Sequence, residues 1–144
     1  MFAGLILGLW LAPFVSAATV TWNRVAIYWI GIACMLLGVA LRWYAIRTLG
    51  RFFTRDVAVR GDQTVVQTGP YRLIRHPAYS GTLLTLLGIG LALTNWASVV
   101  AIVGGGLIGH LYRVRVEEDA LKRALGQPYE DYMRRTKRFI PFVF

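Results

Sequence analysis

The stretch Gly69-Pro70-Tyr71-Arg72-Leu73-Ile74-Arg75-His76-Pro77-Ala78-Tyr79-Ser80-Gly81, followed by TLLTLLGIGLALT over 82–94, passes from a basic, polar loop into an unbroken apolar run. In hydrocarbon every backbone polar group must be bonded within its own segment or in a closed barrel. The period-2 alternation of a barrel strand is absent, so Ala78–Thr94 reads as a membrane helix. Pro77 suits its first turn, because the N–H that proline lacks is one the helix leaves unbonded there.

Working outward, Phe2–Ala18, Val25–Ile46 and Trp96–Tyr112 are apolar runs of similar size, each near the roughly 17 to 25 residues that cross a bilayer core. The sequence therefore predicts an all-α, integral membrane helical bundle in a single domain, 1–144. It has four spans, a loop over 47–77 and a tail over 113–144. Apolar residues make up 56% of the chain and the mean hydropathy is +0.52, more than an ordinary soluble fold carries.

The net charge of +9 comes from Lys and Arg gathered in Arg47–Arg75 and in the tail from Arg113 to Arg138. Blocks between apolar runs orient a chain in a membrane and do not form the basic face of a nucleic-acid binder. The links Thr19–Asn23 and Asn95-Trp96 hold no Lys or Arg, so the positive-inside tendency puts both blocks and both termini in the cytoplasm. Trp22 and Trp96 then mark the outer interface and Trp43 the inner one. Val15-Ser16-Ala17 has the small residues of a signal-peptide cleavage site, but no Lys or Arg precedes the run, and a retained first span is expected.

Several local signals are read as packing. The single cysteine, Cys34, lies in an apolar run and permits no intrachain disulfide, CxxC pair or cysteine-rich zinc site. Gly104-Gly105-Gly106-Leu107-Ile108-Gly109 satisfies GxGxxG on paper, yet no strand precedes it. Gly105-xxx-Gly109 and Gly4-xxx-Gly8 instead suit close helix contact. His110 has no metal-ligand partner at a recognisable spacing and reads as an interfacial or hydrogen-bonded histidine. No metal site is predicted, and nothing here fixes an oligomeric state.

The polar segments carry the chemistry. Gly50, Gly61 and Gly69-Pro70 break the loop into turns, with Val57–Val59 and Thr64–Val66 as brief extended pieces. The free amides of the turn after Pro77, with Arg75 and His76, form an anion site at the inner edge of the membrane. On the competing reading Arg75 snorkels to headgroups, His76 caps the helix and Tyr79 joins the aromatic belt. Tyr112–Leu125 continues as a helix leaving the membrane, with Glu118 and Lys122, then Asp119 and Arg123, at i, i+4 spacing. Gly126 ends it, and Pro128 opens a second short helix with Tyr129, Tyr132 and Met133 on one face. Phe139–Phe144 is apolar and returns toward the bilayer surface. Acidic residues do little for topology. Asp119 is assigned to its ion pair, while Glu117 and Glu118 stay open between pairing and function.

GPYxxxRHPxYxG, followed after two apolar spans by EExxLxxxxGxxYxxY and a closing Arg138-Phe139-Ile140-Pro141, resembles the isoprenylcysteine carboxyl methyltransferase family. Leu49-Gly50-Arg51-Phe52-Phe53 also resembles that family's segment upstream of the loop. The resemblance runs from Leu49 to the C-terminus and implies S-adenosylmethionine as methyl donor, held on the cytosolic side. The implied cofactor-binding residues are Tyr71, Arg75, His76, Pro77, Tyr79, Glu117 and Glu118. The implied catalytic residues are Glu118 with Arg135 or Arg138. It also implies a lipophilic small molecule or prenylated cysteine as acceptor and a lipid setting, the prokaryotic inner membrane for so short a member, with no nucleic acid. The family's eukaryotic members have extra spans.

Methyl transfer from a sulfonium needs alignment and exclusion of water, with no metal or covalent nucleophile. The planar fork of Arg135 or Arg138 suits a carboxylate acceptor, and Glu118 suits the donor's ammonium or ribose hydroxyls. The tail is expected to fold back over the loop to close this pocket. Two other readings compete: an NADPH-dependent membrane reductase of the sterol type, and a non-catalytic membrane protein that binds anionic lipids or a partner.

Overall fold

The structure, a computed structural model, describes residues 2–53 and 63–141. Among these the chain is helical: α1 (Phe2–Phe14), α2 (Arg24–Leu49), α3 (Pro77–Ala92), α4 (Trp96–Leu125) and α5 (Gln127–Arg135). Short 3-10 turns lie at Ser16–Ala18, Gly50–Phe52 and Gly69–Arg72. No strand forms among the described residues, and isolated bridges pair Thr19 with Asn95 and Ile74 with Lys137. The extended piece expected at Val57–Val59 lies outside the described residues, and Thr64–Val66 is not helical.

Helices α2 and α4 are long and apolar enough to cross a membrane. The fourth predicted span and the helix leaving the membrane are one continuous element of 30 residues, about 45 Å at 1.5 Å per residue. Helices α1 and α3, with 13 and 16 residues, are shorter than their apolar runs. Helix α1 ends at Phe14. In α3 the chain tightens so that the Thr94 amide donates to Leu91 O at 2.9 Å, and Thr94 takes a φ of 48°. Asn95 then caps α4, its Oδ1 accepting from the Ser98 amide at 3.2 Å. The outward residues Trp29, Leu36, Leu37, Val100 and Ile108 are each more than half exposed. Such apolar side chains carry about 1.5 to 3 kcal/mol apiece for leaving water, which a lipid surround supplies.

The chain divides into two compact units, Met1–Ala40 with Gly81–Leu111, and Leu41–Ser80 with Tyr112–Phe144. The first is built on glycine contacts. A Cβ on Gly88 of α3 would lie 2.5 Å from Gly31 O and 2.6 Å from Met35 N of α2, so the two backbones touch. On α1, a Cβ on Gly4 would lie 2.9 Å from Gly105 Cα of α4, and Ser98 Oγ donates to Gly8 O at 2.7 Å. The second unit has a small apolar cluster, Ala45, Tyr71 and Ala78 with Ile46, Leu49 and Val66 against it. It also holds nearly all the polar residues singled out from the sequence.

Candidate functional site

The site lies within Leu41–Ser80 and Tyr112–Phe144. Pro77 opens α3, and the carbonyl of His76 accepts from the amides of Tyr79 and Ser80 at 3.0 and 3.1 Å. His76 is thus the residue at which loop becomes helix, as the sequence indicated. The tail reaches the same place. Gly126 turns the chain with φ 59° and proline near the start of α5 restarts the helix, which buries Tyr129 and Tyr132. The Tyr132 hydroxyl donates to Tyr71 O at 2.8 Å. Beyond Thr136 the chain is extended and runs beside the loop: the amide of Arg75 donates to Lys137 O at 2.8 Å and that of His76 to Arg138 O at 3.0 Å. Ser80 Oγ adds a bond to Phe139 O at 2.7 Å.

This corrects one expectation. In the turn after Pro77 the amides of Tyr79 and Ser80 are taken by His76 O, and just before it the amides of Arg75 and His76 are taken by the tail's own carbonyls. A carbonyl on the same chain, held nearby by α5, is a ready partner for donors at a helix start.

Glu118 is the hub. It is 1% exposed, and its Oε1 accepts from Arg75 Nε at 2.9 Å and lies 3.3 Å from His76 Nε2, a contact that needs the proton on Nε2. Oε2 takes Arg138 in a fork, Nη2 at 2.7 Å and Nε at 3.1 Å. Burial alone would disfavour the carboxylate; charge-assisted bonds from several cations offset that cost. Arg75 also donates through Nη1 to Met133 O at 3.0 Å and to Thr136 O, so one guanidinium ties α4, α5 and the tail together. It is not a headgroup-seeking cation. The expected Glu118–Lys122 pair does not form: Lys122 lies 3.7 Å from Asp119, both well exposed, where an ion pair contributes little.

Beside the hub, Arg113 Nε donates to the Tyr79 hydroxyl at 2.8 Å, which donates to Glu117 Oε2 at 2.8 Å. The His76 ring stacks on Tyr79 with centroids 5.7 Å apart and tilts against Phe139 at 6.3 Å. Arg75, His76, Tyr79, Glu117, Glu118 and Arg138 therefore form one cluster. Pro77 acts through the backbone. Tyr71 belongs to the apolar cluster, where burial raises its phenol above the ordinary range.

Arg135 is apart from them: its Nε donates to Asp131 O at 3.3 Å on an exposed face of α5. With Gln67, Arg72, Tyr132 and Thr136 it lines a cleft of about 170 Å³. Two residues escaped the sequence reading. Arg113 stands four before Glu117, on the same helix face, which was signal enough. Arg42, whose Nη1 donates to Ala78 O at 3.4 Å, is a cation inside an apolar span, itself a mark of function. Among the described residues no group of His, Cys, Asp or Glu is placed to hold a metal ion.

The arrangement offers a half-buried carboxylate, a phenol, aromatic faces and guanidinium groups along one edge. Comparison with known proteins gives these features a context. A family described as phospholipid methyltransferase matches residues 26–128. The chain is 35% identical over 121 residues to a protein-S-isoprenylcysteine O-methyltransferase B of Arabidopsis thaliana, covering 81% of this chain and 61% of that one. A probable protein-S-isoprenylcysteine O-methyltransferase of Oryza sativa subsp. indica is 31% identical over 122 residues, covering 81% and 64%. The solved structure of a eukaryotic intramembrane Ras methyltransferase, an isoprenylcysteine carboxyl methyltransferase, superposes with a TM-score of 0.78 at 28% identity. That likeness covers 99% of this chain and 50% of the other. The chain thus spans less than two thirds of the length of these relatives. The resemblance read from the RHPxY and EE motifs is borne out.

Proposed function

We propose, from the premise that the chain belongs to the phospholipid methyltransferase family, that it methylates the carboxylate of an isoprenylcysteine-like lipid with S-adenosylmethionine as donor. The observation that carries this reading is the Glu118 hub, through which α4 and the tail close over the RHPxY segment. The named activities of the relatives point the same way.

The residues present fit the donor's chemistry. Glu117 offers a half-buried carboxylate to an ammonium or ribose hydroxyl, Arg113 a guanidinium to a carboxylate, and the rings of His76, Tyr79 and Phe139 faces to a sulfonium or adenine. When bound, the donor supplies a methyl group on a positive sulfur, ready for in-line displacement. Everything else is alignment by this chain. Glu118 is too enclosed to reach a ligand without giving up a cation, so it acts as a positioning residue for Arg75, His76 and Arg138. Arg138 spends Nε and Nη2 on Glu118, which leaves its Nη1 edge to hold an acceptor carboxylate. Arg135, on the outer face of α5, is the less suited of the pair. The tail excludes water from the edge it covers.

The topology belongs to the same proposal: four passes, with the loop and tail in the cytoplasm. A water-soluble donor then enters from the cytosol and the lipid acceptor from the bilayer.

Titrating the purified chain with S-adenosylhomocysteine and with NADPH, then assaying methyl ester formation on a farnesylated cysteine analogue, tests the reading. Binding of the former with ester formation is expected. NADPH binding without adenosylhomocysteine binding overturns it in favour of a reductase, and binding of neither in favour of a non-catalytic membrane protein.

A further inference from the structure

The cleft lined by Gln67, Arg72, Tyr132, Arg135 and Thr136 meets the hub at Thr136, whose carbonyl accepts from Arg75, while Gln67, Arg72 and Arg135 stand outside the hub. Tyr132 and Thr136 use their hydroxyls internally, on Tyr71 O and Tyr132 O. Among the described residues, the polar heads left to line the cleft are the Gln67 amide and two guanidinium groups. The acid nearest in sequence, Asp131, takes Gln127 at 2.9 Å and Arg134 at 3.5 Å on its carboxylate and gives Arg135 only its backbone carbonyl. Arg72 is exposed and makes no ion pair among the described residues. Two like charges thus share one concavity with no carboxylate among the described residues that line it, an arrangement that an anion relieves.

We infer that this cleft binds a phosphoryl group. Two planar forks and an amide lining one cleft suit a tetrahedral oxyanion better than a carboxylate, which a single fork satisfies. A volume of about 170 Å³ holds such a group with bound water, at about 30 Å³ per water. Leu73, directly after Arg72, is 55% exposed, and an apolar side chain beside a cation is the pairing found where a protein meets anionic headgroups. The phosphoryl group belongs either to such a headgroup or to a soluble phosphate. The inference does not depend on the methyltransferase reading, since it involves no turnover.

Thermal melting of the full chain in a neutral detergent, titrated separately with inorganic phosphate and with dihexanoyl phosphatidylglycerol, tests it. The melting temperature is expected to rise with at least one of these probes. Arg72→Gln and Arg135→Gln should each weaken the apparent affinity about tenfold, as for loss of a charge-assisted hydrogen bond. Lys122→Gln, which removes an exposed charge elsewhere, should not. A response to phosphatidylglycerol alone assigns the site to a headgroup, and a response to both assigns it to any phosphoryl group. No response to either probe overturns the inference. So does an Arg72→Gln curve matching that of Lys122→Gln, or displacement of phosphate by saturating S-adenosylhomocysteine, which would make the cleft part of the donor site.

Discussion

Replacing Glu118 by Gln keeps the shape of the side chain and removes the charge on which Arg75, His76 and Arg138 converge. An amide has no good orientation there. With its NH₂ at the Oε2 position it faces Arg138 Nη2, formerly at 2.7 Å, donor against donor. Turned over, it faces Arg75 Nε, formerly at 2.9 Å. The Arg75 side chain is 9% exposed and that of Glu118 2%, so the pair is buried, and breaking a buried pair costs about 3 to 5 kcal/mol. Arg75 keeps its bonds to Met133 O and Thr136 O, which argues for the lower end. At about 3 kcal/mol the melting temperature should fall by roughly 10 °C. Arg138, with 30% of its side chain exposed, is closer to a surface partner, so Arg138→Ala should cost nearer 1 kcal/mol. Lys122→Ala should change little. Melting the four proteins side by side in one detergent gives the order Glu118→Gln, then Arg138→Ala, then Lys122→Ala with wild type. A Glu118→Gln shift no larger than that of Lys122→Ala would refute the reasoning, as would Arg138→Ala proving the more damaging.

Tyr79→Phe removes the hydroxyl between Arg113 and Glu117 and should weaken S-adenosylhomocysteine binding about tenfold by calorimetry; unchanged affinity would return Tyr79 to the aromatic belt. Gly88→Ala places a methyl 2.5 Å from Gly31 O and 2.6 Å from Met35 N, both backbone atoms, and should cost about 1 to 3 kcal/mol or more through overpacking, seen as a lowered melting temperature. Burial raises the phenols of Tyr71 and Tyr129 and pushes Tyr132 up to about 12. Because the folded state favours the neutral form, their stabilisation is full below the free phenol value near 10 and is lost as pH rises above it, through about 12 for Tyr132. Ultraviolet titration should show these three phenols ionising together with unfolding, and ionisation near pH 10 in the folded chain would count against their burial.

Much of the fold was legible because hydropathy and punctuation agree. Pro77 marks the start of α3, and Gly126 with Pro128 marks the turn between α4 and α5. The ends of α1 and α3 were less so. Apolar composition continues through Phe14–Ala18 and Ala92–Thr94, and what stops α3 is a positive φ at Thr94 and the cap at Asn95 that opens α4. The Gly31–Gly88 contact also went unread, since it pairs glycines on different helices and only Gly-xxx-Gly within one helix leaves a local trace.

The site shows the same division between local and distant information. Spacing along α4 offered Lys122 to Glu118, and on an isolated helix that pair would form. Donors from the loop and tail win, because Arg75 and Arg138 reach the carboxylate where water does not, while Lys122 stays in solvent with Asp119. The choice between Arg135 and Arg138 turned on where α5 ends. No glycine or proline lies between them, yet Thr136 leaves the helical region at φ −123° and ψ 156°, and its hydroxyl bonds back to Tyr132 O at 2.7 Å. Had the helix run on, Arg138 would have stood three residues beyond Arg135 on much the same exposed face. The extended turn at Thr136 instead lays Lys137 and Arg138 along Arg75 and His76, carbonyl to amide. In that register the Arg138 side chain meets Glu118. A threonine that closes a helix by bonding its own last turn thereby divides the two arginines, one to the hub and one to the cleft.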